Sequence, residues 1–221
     1  MTYGEIYDEI CEHCWPGVVP PVNMPAIIRS KIKTAQRMIN RNYNFWFTLM
    51  SLQLNTVASQ RSYDLRTLAL PYEVKEIERA YFTVYLQNYY NSPLTRLELT
   101  EHLDAGLNLS VNSVEYPDKF RLDGRSLELY PLPSEERQLN LLCWKFLPLV
   151  DITNVTTFEA YEDDISIYCS DAIIYYVVSL VKLMQDEWQS SAMYKQLFIE
   201  AIEGSMQEDV ARRAMPENNA E

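Results

Sequence analysis

Residues Phe120–Leu129 read FRLDGRSLEL, and this stretch decides the character of the middle of the chain. Phe120 and Leu122 alternate with polar residues, Asp123 and Gly124 follow, and Leu127 and Leu129 resume the alternation. An Asp-Gly pair between two alternating runs favours the positive backbone angles of a tight turn, so the stretch predicts an antiparallel hairpin. A strand is expected over Ile77–Leu86, where β-branched and aromatic residues crowd one run, and another over Leu139–Phe146, bounded by Pro131, Pro133 and Pro148. Alternation begins at Leu49, and Leu97–Ala105 reads as a short helix closed by Gly106.

On either side of this region the hydrophobic period is helical. Tyr3, Ile6, Tyr7, Ile10 and Cys14 form one helical face that Pro16 terminates. After the proline-rich connection Pro16–Pro21, Asn23 is placed to cap a second helix with Pro25 in its first turn. Its expected buried stripe is Ile28, Ile32, Ala35, Ile39, Tyr43 and Trp46, which carries the helix to about Phe47. Helical period returns at Glu162: Glu162, Asp163 and Asp164 suit the positive end of a helix dipole, and Ile165, Cys169, Ala172, Tyr176, Leu180 and Leu183 form the stripe. Ile173–Val178 is apolar on nearly every side, as in a helix central to a bundle or covered by a second subunit. A last helix carries Tyr194, Leu197, Phe198, Ala201 and Ile202, and beyond Glu203 the apolar content thins towards an end expected to be mobile. The resulting fold class is α+β, mainly α: a bundle of N- and C-terminal helices with an inserted antiparallel β-rich region. The expected segments are 1–48, 49–150, 151–204 and an extension at 205–221.

Composition removes several classes of function. The 221 residues carry 19 Lys and Arg against 31 Asp and Glu, a net charge of −12, which disfavours general nucleic-acid binding because cations supply that affinity. The 5 glycines include no phosphate-cradling or dinucleotide-binding spacing. The longest mainly apolar run, Ala172–Val181, falls well short of the roughly 20 residues of a membrane span. Glu5, Asp8, Glu9 and Glu12 occupy the place where a signal peptide would be positive and then apolar, so synthesis in the cytoplasm is expected. Four scattered cysteines (Cys11, Cys14, Cys143 and Cys169) are expected to be reduced thiols.

Candidates for chemistry are few. Cys11, Glu12, His13 and Cys14 resemble half a zinc site without a second half, and read instead as an amphipathic helix with small apolar thiols. The carboxylate runs Glu162–Asp164 and Glu135–Glu136 lie where a helix start and a turn already call for polar residues. His13 and His102 have no nucleophile motif beside them. No catalytic, cofactor-binding or metal-binding residue is therefore assigned. A metal-dependent hydrolase or nuclease built on Glu162–Asp164 and a monomeric cytoplasmic interaction domain stay open as alternatives.

Two features point to assembly instead. The 16 tyrosines, including Tyr81, Tyr85, Tyr89, Tyr90, Tyr175 and Tyr176, suit surfaces that are half apolar and half wet. In addition, Arg29, Lys33, Arg37 and Arg41 recur every four residues on the second helix, away from its apolar stripe, while Glu5, Asp8, Glu9 and Glu12 form an acidic stripe on the first. Matching stripes of opposite sign are one way that assemblies set register.

Along the chain run an N-terminal helix pair ending in Asn44, Phe45, Trp46 and Phe47; then Ser62, Tyr63, Asp64 and Leu65 with Leu70, Pro71 and the strand Ile77–Tyr85; then Phe120, Leu122, Asp123, Gly124, Leu127, Leu129, Pro131 and Pro133; then Trp144, Pro148 and a closing helix pair. This order of segments resembles the head-to-tail adaptor (head-completion or connector) proteins of tailed bacteriophages. The resemblance implies a helical bundle with a β-rich insertion and no enzymatic activity. It also implies assembly as a homo-oligomeric ring, usually a dodecamer, between the portal protein and a tail or nozzle protein in the virion, with DNA passing through without sequence-specific binding. On that basis, and from their mix of apolar and cationic residues at a thinly packed chain end, Met206, Val210, Arg212, Arg213 and Met215 are the expected portal contacts. Pro16, Pro20 and Pro21 stiffen the connection between the first two helices and make folding one back along the other less easy, so the stripes Glu5, Asp8, Glu9, Glu12 and Arg29, Lys33, Arg37, Arg41 are expected to meet across neighbouring subunits.

Overall fold

The computed structural model describes residues 1–68, 72–82, 93–97 and 114–214, with the backbone alone at 114, 115 and 212–214. The chain divides into two compact units, Met1–Phe47 with Pro148–Glu221, and Thr48–Leu147. The expected helix over Leu97–Ala105, Gly106, His102, Leu70, Pro71, residues 83–86 of the expected Ile77–Leu86 strand, Tyr85, Tyr89, Tyr90 and Met215 fall outside the described residues wholly or in part.

The first unit is helical. Helix α1 (Tyr3–Cys14) starts at a capping box, in which the Glu5 amide donates to the Thr2 hydroxyl and the Thr2 amide donates to Glu5 Oε2 at 2.8 Å. It buries Tyr3, Ile6, Ile10 and Cys14, as its period requires. Helix α2 (Met24–Asn42) buries Ile28, Ile32, Ala35 and Ile39. Two details differ from the expectation for α2. Asn23 holds the N-cap position in helical conformation and its side chain makes no capping bond. The helix also stops at Asn42, because Tyr43 turns extended and Trp46–Thr48 form a separate 3-10 turn. There Phe45 and Phe47 stack at 5.2 Å and are buried, which leaves Trp46 at 39% exposure instead of in the stripe.

Helix α3 (Val155–Ala160), capped by the Asn154 side chain, was not legible as a separate element; it buries Phe158 against Tyr3. The helix expected from Glu162 onward is two: α4 (Asp164–Tyr168) and α5 (Ser170–Met184), divided at Cys169 with φ −128° and ψ 24°. The break shifts the phase of the buried face. Ile173, Ile174, Val177, Val178 and Val181 are buried, whereas Leu183 is exposed and Tyr176 and Leu180 are half-buried. Because α5 packs against α1, α2 and helix α6 (Trp188–Ala214), the Ile173–Val181 part of its apolar surface is largely covered within the chain, while Leu183 and Met184 at its end stay exposed. Among the described residues no helix is long and apolar enough to cross a membrane.

Helix α6 runs through the point where the apolar content thins and through the expected boundary at 204/205. Phe198 and Ile202 are buried, and two polar residues continue the same face: the Ser205 hydroxyl donates to the Tyr168 carbonyl at 3.1 Å, and Asp209, 5% exposed, accepts the Trp46 amide at 2.6 Å. A polar residue on a buried face extends a helix as an apolar one does, provided that its hydrogen bond is made inside.

The second unit holds strands β1 (Leu49–Asn55), β2 (Ser62–Asp64), β3 (Glu73–Phe82), β4 (Thr95–Arg96), β5 (Val114–Glu115), β6 (Lys119–Asp123), β7 (Ser126–Tyr130), β8 (Leu132–Pro133) and β9 (Gln138–Phe146). β9 is central between β1 and β3, both antiparallel to it, and a second sheet has the order β2-β7-β6-β4. The long pairings are antiparallel; the two-residue pairings β4 with β6 and β5 with β8 are parallel. Inward residues of both larger sheets, among them Leu54, Tyr63, Ile77, Phe120, Leu127, Leu129, Leu139 and Leu141, make one core. The hairpin forms as expected, with one correction. Asp123 pairs with Ser126, so the turn residues are Gly124 and Arg125, and only Gly124 has positive φ (+59°). Glycine first and an ordinary residue second is a type II′ arrangement, which suits the strand twist as well as the Asp-Gly type does.

Candidate assembly surfaces

In the helical unit a buried polar junction ties the separate helical segments together. Gln36, fully buried in α2, donates from Nε2 to Asp163 Oδ2 at 2.6 Å and to the Pro148 carbonyl at 3.1 Å, and its Oε1 accepts the Val150 amide at 2.8 Å. Asp163 also accepts the Tyr3 hydroxyl at 3.1 Å and the Ser166 amide at 2.8 Å. Burial pushes the Asp163 carboxyl above its ordinary value, against the pull of these hydrogen bonds, and burial followed by Asp163 itself drives the Tyr3 hydroxyl far up. In the rest of the Glu162–Asp164 run, Glu162 pairs with the N-terminal amine at 3.3 Å and Asp164 begins α4, its charge adding to the rise of Asp163. In the β-rich unit Glu135 accepts from Arg137 Nε at 2.5 Å and from the Tyr116 hydroxyl at 2.9 Å, and Glu136 accepts from Asn55. Each run is thus built into local structure.

The Cys11–Cys14 segment likewise serves packing. His13 Nδ1 is 3.2 Å from the Tyr194 hydroxyl, with the ring edge-on to Tyr175 and Tyr194. Cys14 is buried, which pushes its thiol up to about 12, and Cys11 is half-buried. All four cysteines are free thiols, and burial also raises Cys143 and Cys169 to about 12.

The charged stripes lie at the surface. Glu5, Asp8, Glu9 and Glu12 are exposed on α1; on α2, Arg37 and Arg41 are exposed and Arg29 and Lys33 half-buried. α1 and α2 pack together, and Arg29 is near enough to Tyr7 to oppose the rise that burial gives that hydroxyl, to about 12. Lys33 instead helps to hold the Asp151 carboxyl below its ordinary value, after the hydrogen bonds from Thr153. Among the described residues no ion pair joins the acidic stripe to the basic one. Glu5 is partly committed already, since its carboxylate caps the Thr2 amide.

The expected portal contacts sit on or beyond α6. Met206 and Val210 are 41% and 65% exposed, Arg212 and Arg213 continue the helix backbone, and Met215 lies outside the described residues. The residues missed in the sequence are Gln36, Asn40 and Asp209, all buried and polar. Their signal was positional: Gln36 and Asn40 follow Ile32 at four-residue steps, and Asp209 follows Phe198, Ile202 and Ser205 on one helical face.

No curated protein is matched by this sequence. The family model described as SU10 adaptor protein matches residues 1–220, through both the helical and the β-rich unit. The bundle interrupted by a β-rich insertion is the fold that the sequence resemblance implied. With the match running through nearly every residue, the chain belongs to the SU10 adaptor protein family, phage head-to-tail adaptors that are virion components with a structural role.

Proposed function

We propose that this chain is the subunit of an adaptor ring in the phage neck, joining the portal protein to a tail or nozzle protein and forming part of the channel through which DNA leaves. The structural observation that supports this reading is the pair of surface stripes of opposite sign on α1 and α2, which no ion pair among the described residues joins. In a closed ring every subunit meets its neighbours through two different surfaces, and an acidic face on one side with a basic face on the other meets that requirement. Ile173, Ile174, Val177 and Val178 of α5 are buried within the chain and call for no second subunit, so the interface reading rests on the stripes. A ring of twelve follows from the family resemblance. A net charge of −12 per subunit suits a channel that passes DNA without gripping its phosphates. The chain would be made in the host cytoplasm and end in the virion.

In this reading 1–48 and 151–204 form the ring-building bundle, 49–150 the β-rich insertion, and 205–221 the extension that meets the portal. The extension begins as helix, which fixes Met206 and Val210 before any partner arrives and spares part of the ordering entropy that a loose tail would lose. Replacing both by Asp, with truncation after Ala214 as the companion variant, should lower portal binding while leaving α6 folded.

The test of the stripes is a charge swap on portal-templated rings, counted by electron microscopy. Lys33→Glu with Arg37→Glu should impair assembly, and Asp8→Lys with Glu9→Lys in the same chain should restore it. Glu5 is left unaltered because its capping box would be lost along with its charge. Assembly of the wild type should weaken as salt rises. Normal rings from the Lys33 and Arg37 reversal alone would refute the stripe contact.

A further inference from the structure

Helix α6 carries two apolar faces. One, with Phe198 and Ile202, is buried in the bundle. The other is exposed: Trp188 at 67%, Ile199 at 40%, Met206 at 41% and Val210 at 65%. At about 100° per residue these four fall within an arc of about 40°, roughly a quarter turn from the buried face, and the seam from Trp188 to Val210 is about 33 Å long. Trp188, Ile199 and Val210 are separated by eleven residues each, the repeat that keeps a seam straight or slightly right-handed along a helix. The positions between them in the seam are Ala192, Lys195, Glu203 and Met206, all exposed.

This seam is a palindrome about Ile199. Turning a second α6 antiparallel about that residue sets Trp188 opposite the second copy's Val210, Ala192 opposite its Met206, and Lys195 opposite its Glu203, each contact occurring twice. Large side chains meet smaller ones, and both charges of the seam meet their opposites. Among the described residues neither Lys195 nor Glu203 enters an ion pair within the chain. We infer that the occupant of the seam is a second copy of this chain, bound through an antiparallel α6–α6 contact centred on Ile199. The arrangement is isologous, the commonest kind of self-association, and it differs from the head-to-tail contact of a ring. One helix face of this length offers a few hundred Å², short of the roughly 800 Å² per partner of a stable complex, so the dimer is weak and concentration-dependent. Met206 and Val210 lie inside it, and therefore, if they also meet the portal, the dimer and the portal compete for them.

The experiment uses the full chain without portal, so its result is independent of the ring reading. Sedimentation velocity across micromolar concentrations should show a monomer–dimer equilibrium, and Ile199→Asp, which sets two carboxylates at the dyad, should weaken it at least tenfold. Lys195→Glu and Glu203→Lys should each yield monomers when alone, yet form a heterodimer when the two variants are mixed, because the mixture restores both opposite-charge pairs. Thermal melting of each variant checks that the exposed substitutions leave the fold unchanged. A wild type that stays monomeric throughout, or a dimer indifferent to Ile199→Asp and to mixing, would overturn the inference.

Discussion

Gln36→Leu should be far more damaging than its similar volume suggests. The substitution keeps the packing of α2 but removes three hydrogen bonds, to the Pro148 carbonyl, the Asp163 carboxylate and the Val150 amide. Val150 is 1% exposed and Gln36 is fully buried, so water has no ready access to the groups left behind. A buried group that loses its partner costs about 1–3 kcal/mol. The Pro148 carbonyl has a second lone pair and Asp163 keeps the Tyr3 and Ser166 donors, so the Val150 amide and the shortened carboxylate network dominate, for a total of about 3–5 kcal/mol. For a chain of this size that corresponds to a fall in Tm of roughly 6–20 °C. Calorimetry measures the shift, and amide hydrogen exchange locates it, with the Val150 amide losing protection first. A Tm within about 2 °C of the wild type, together with unchanged exchange at Val150, would refute the idea that this junction holds the helical unit together.

Burial raises the Asp163 carboxyl when folded, so its protonated form is the better bound and its contribution to stability is present below the ordinary carboxylate range and lost as pH rises through the raised value. The groups around it are Tyr3 from α1, Gln36 from α2, and Ser166 and the Asp164 charge from α4; Asp163→Asn should flatten the loss of Tm that sets in as pH rises above the ordinary carboxylate range, and parallel Tm–pH curves for variant and wild type would contradict this. Gly4→Ala should destabilise by about 1–3 kcal/mol in denaturant titration despite the better helix propensity of alanine, because its Cβ would stand 2.8 Å from the Glu159 backbone carbonyl oxygen. Gly124→Ala meets no such obstruction but must adopt a φ of +59°, so a cost of about 1–2 kcal/mol is expected, with Gly124→Asn milder in the same titration.

Elements whose signal is local were legible along the chain. An apolar period of 3.6 marked the faces of α1 and α2, and alternation around Asp123 and Gly124 marked the hairpin, because each depends only on which side of a helix or strand faces a core. The same local chemistry exposed the two charged stripes. Matters of partnership were settled by the packing of distant segments. Nothing local says that α2 ends at Asn42; the stacking of Phe45, Phe47 and Tyr168 does. The break at Cys169 comes from fitting two phases of one apolar run against three neighbouring helices. Asp209 and Gln36 read as surface residues until the fold supplies the Trp46 amide, Val150 amide and Asp163 carboxylate that make their burial favourable. Residue patterning shows which face a polar residue shares, whereas its burial is decided by its hydrogen-bond partner, and here those partners lie more than 100 residues away along the chain.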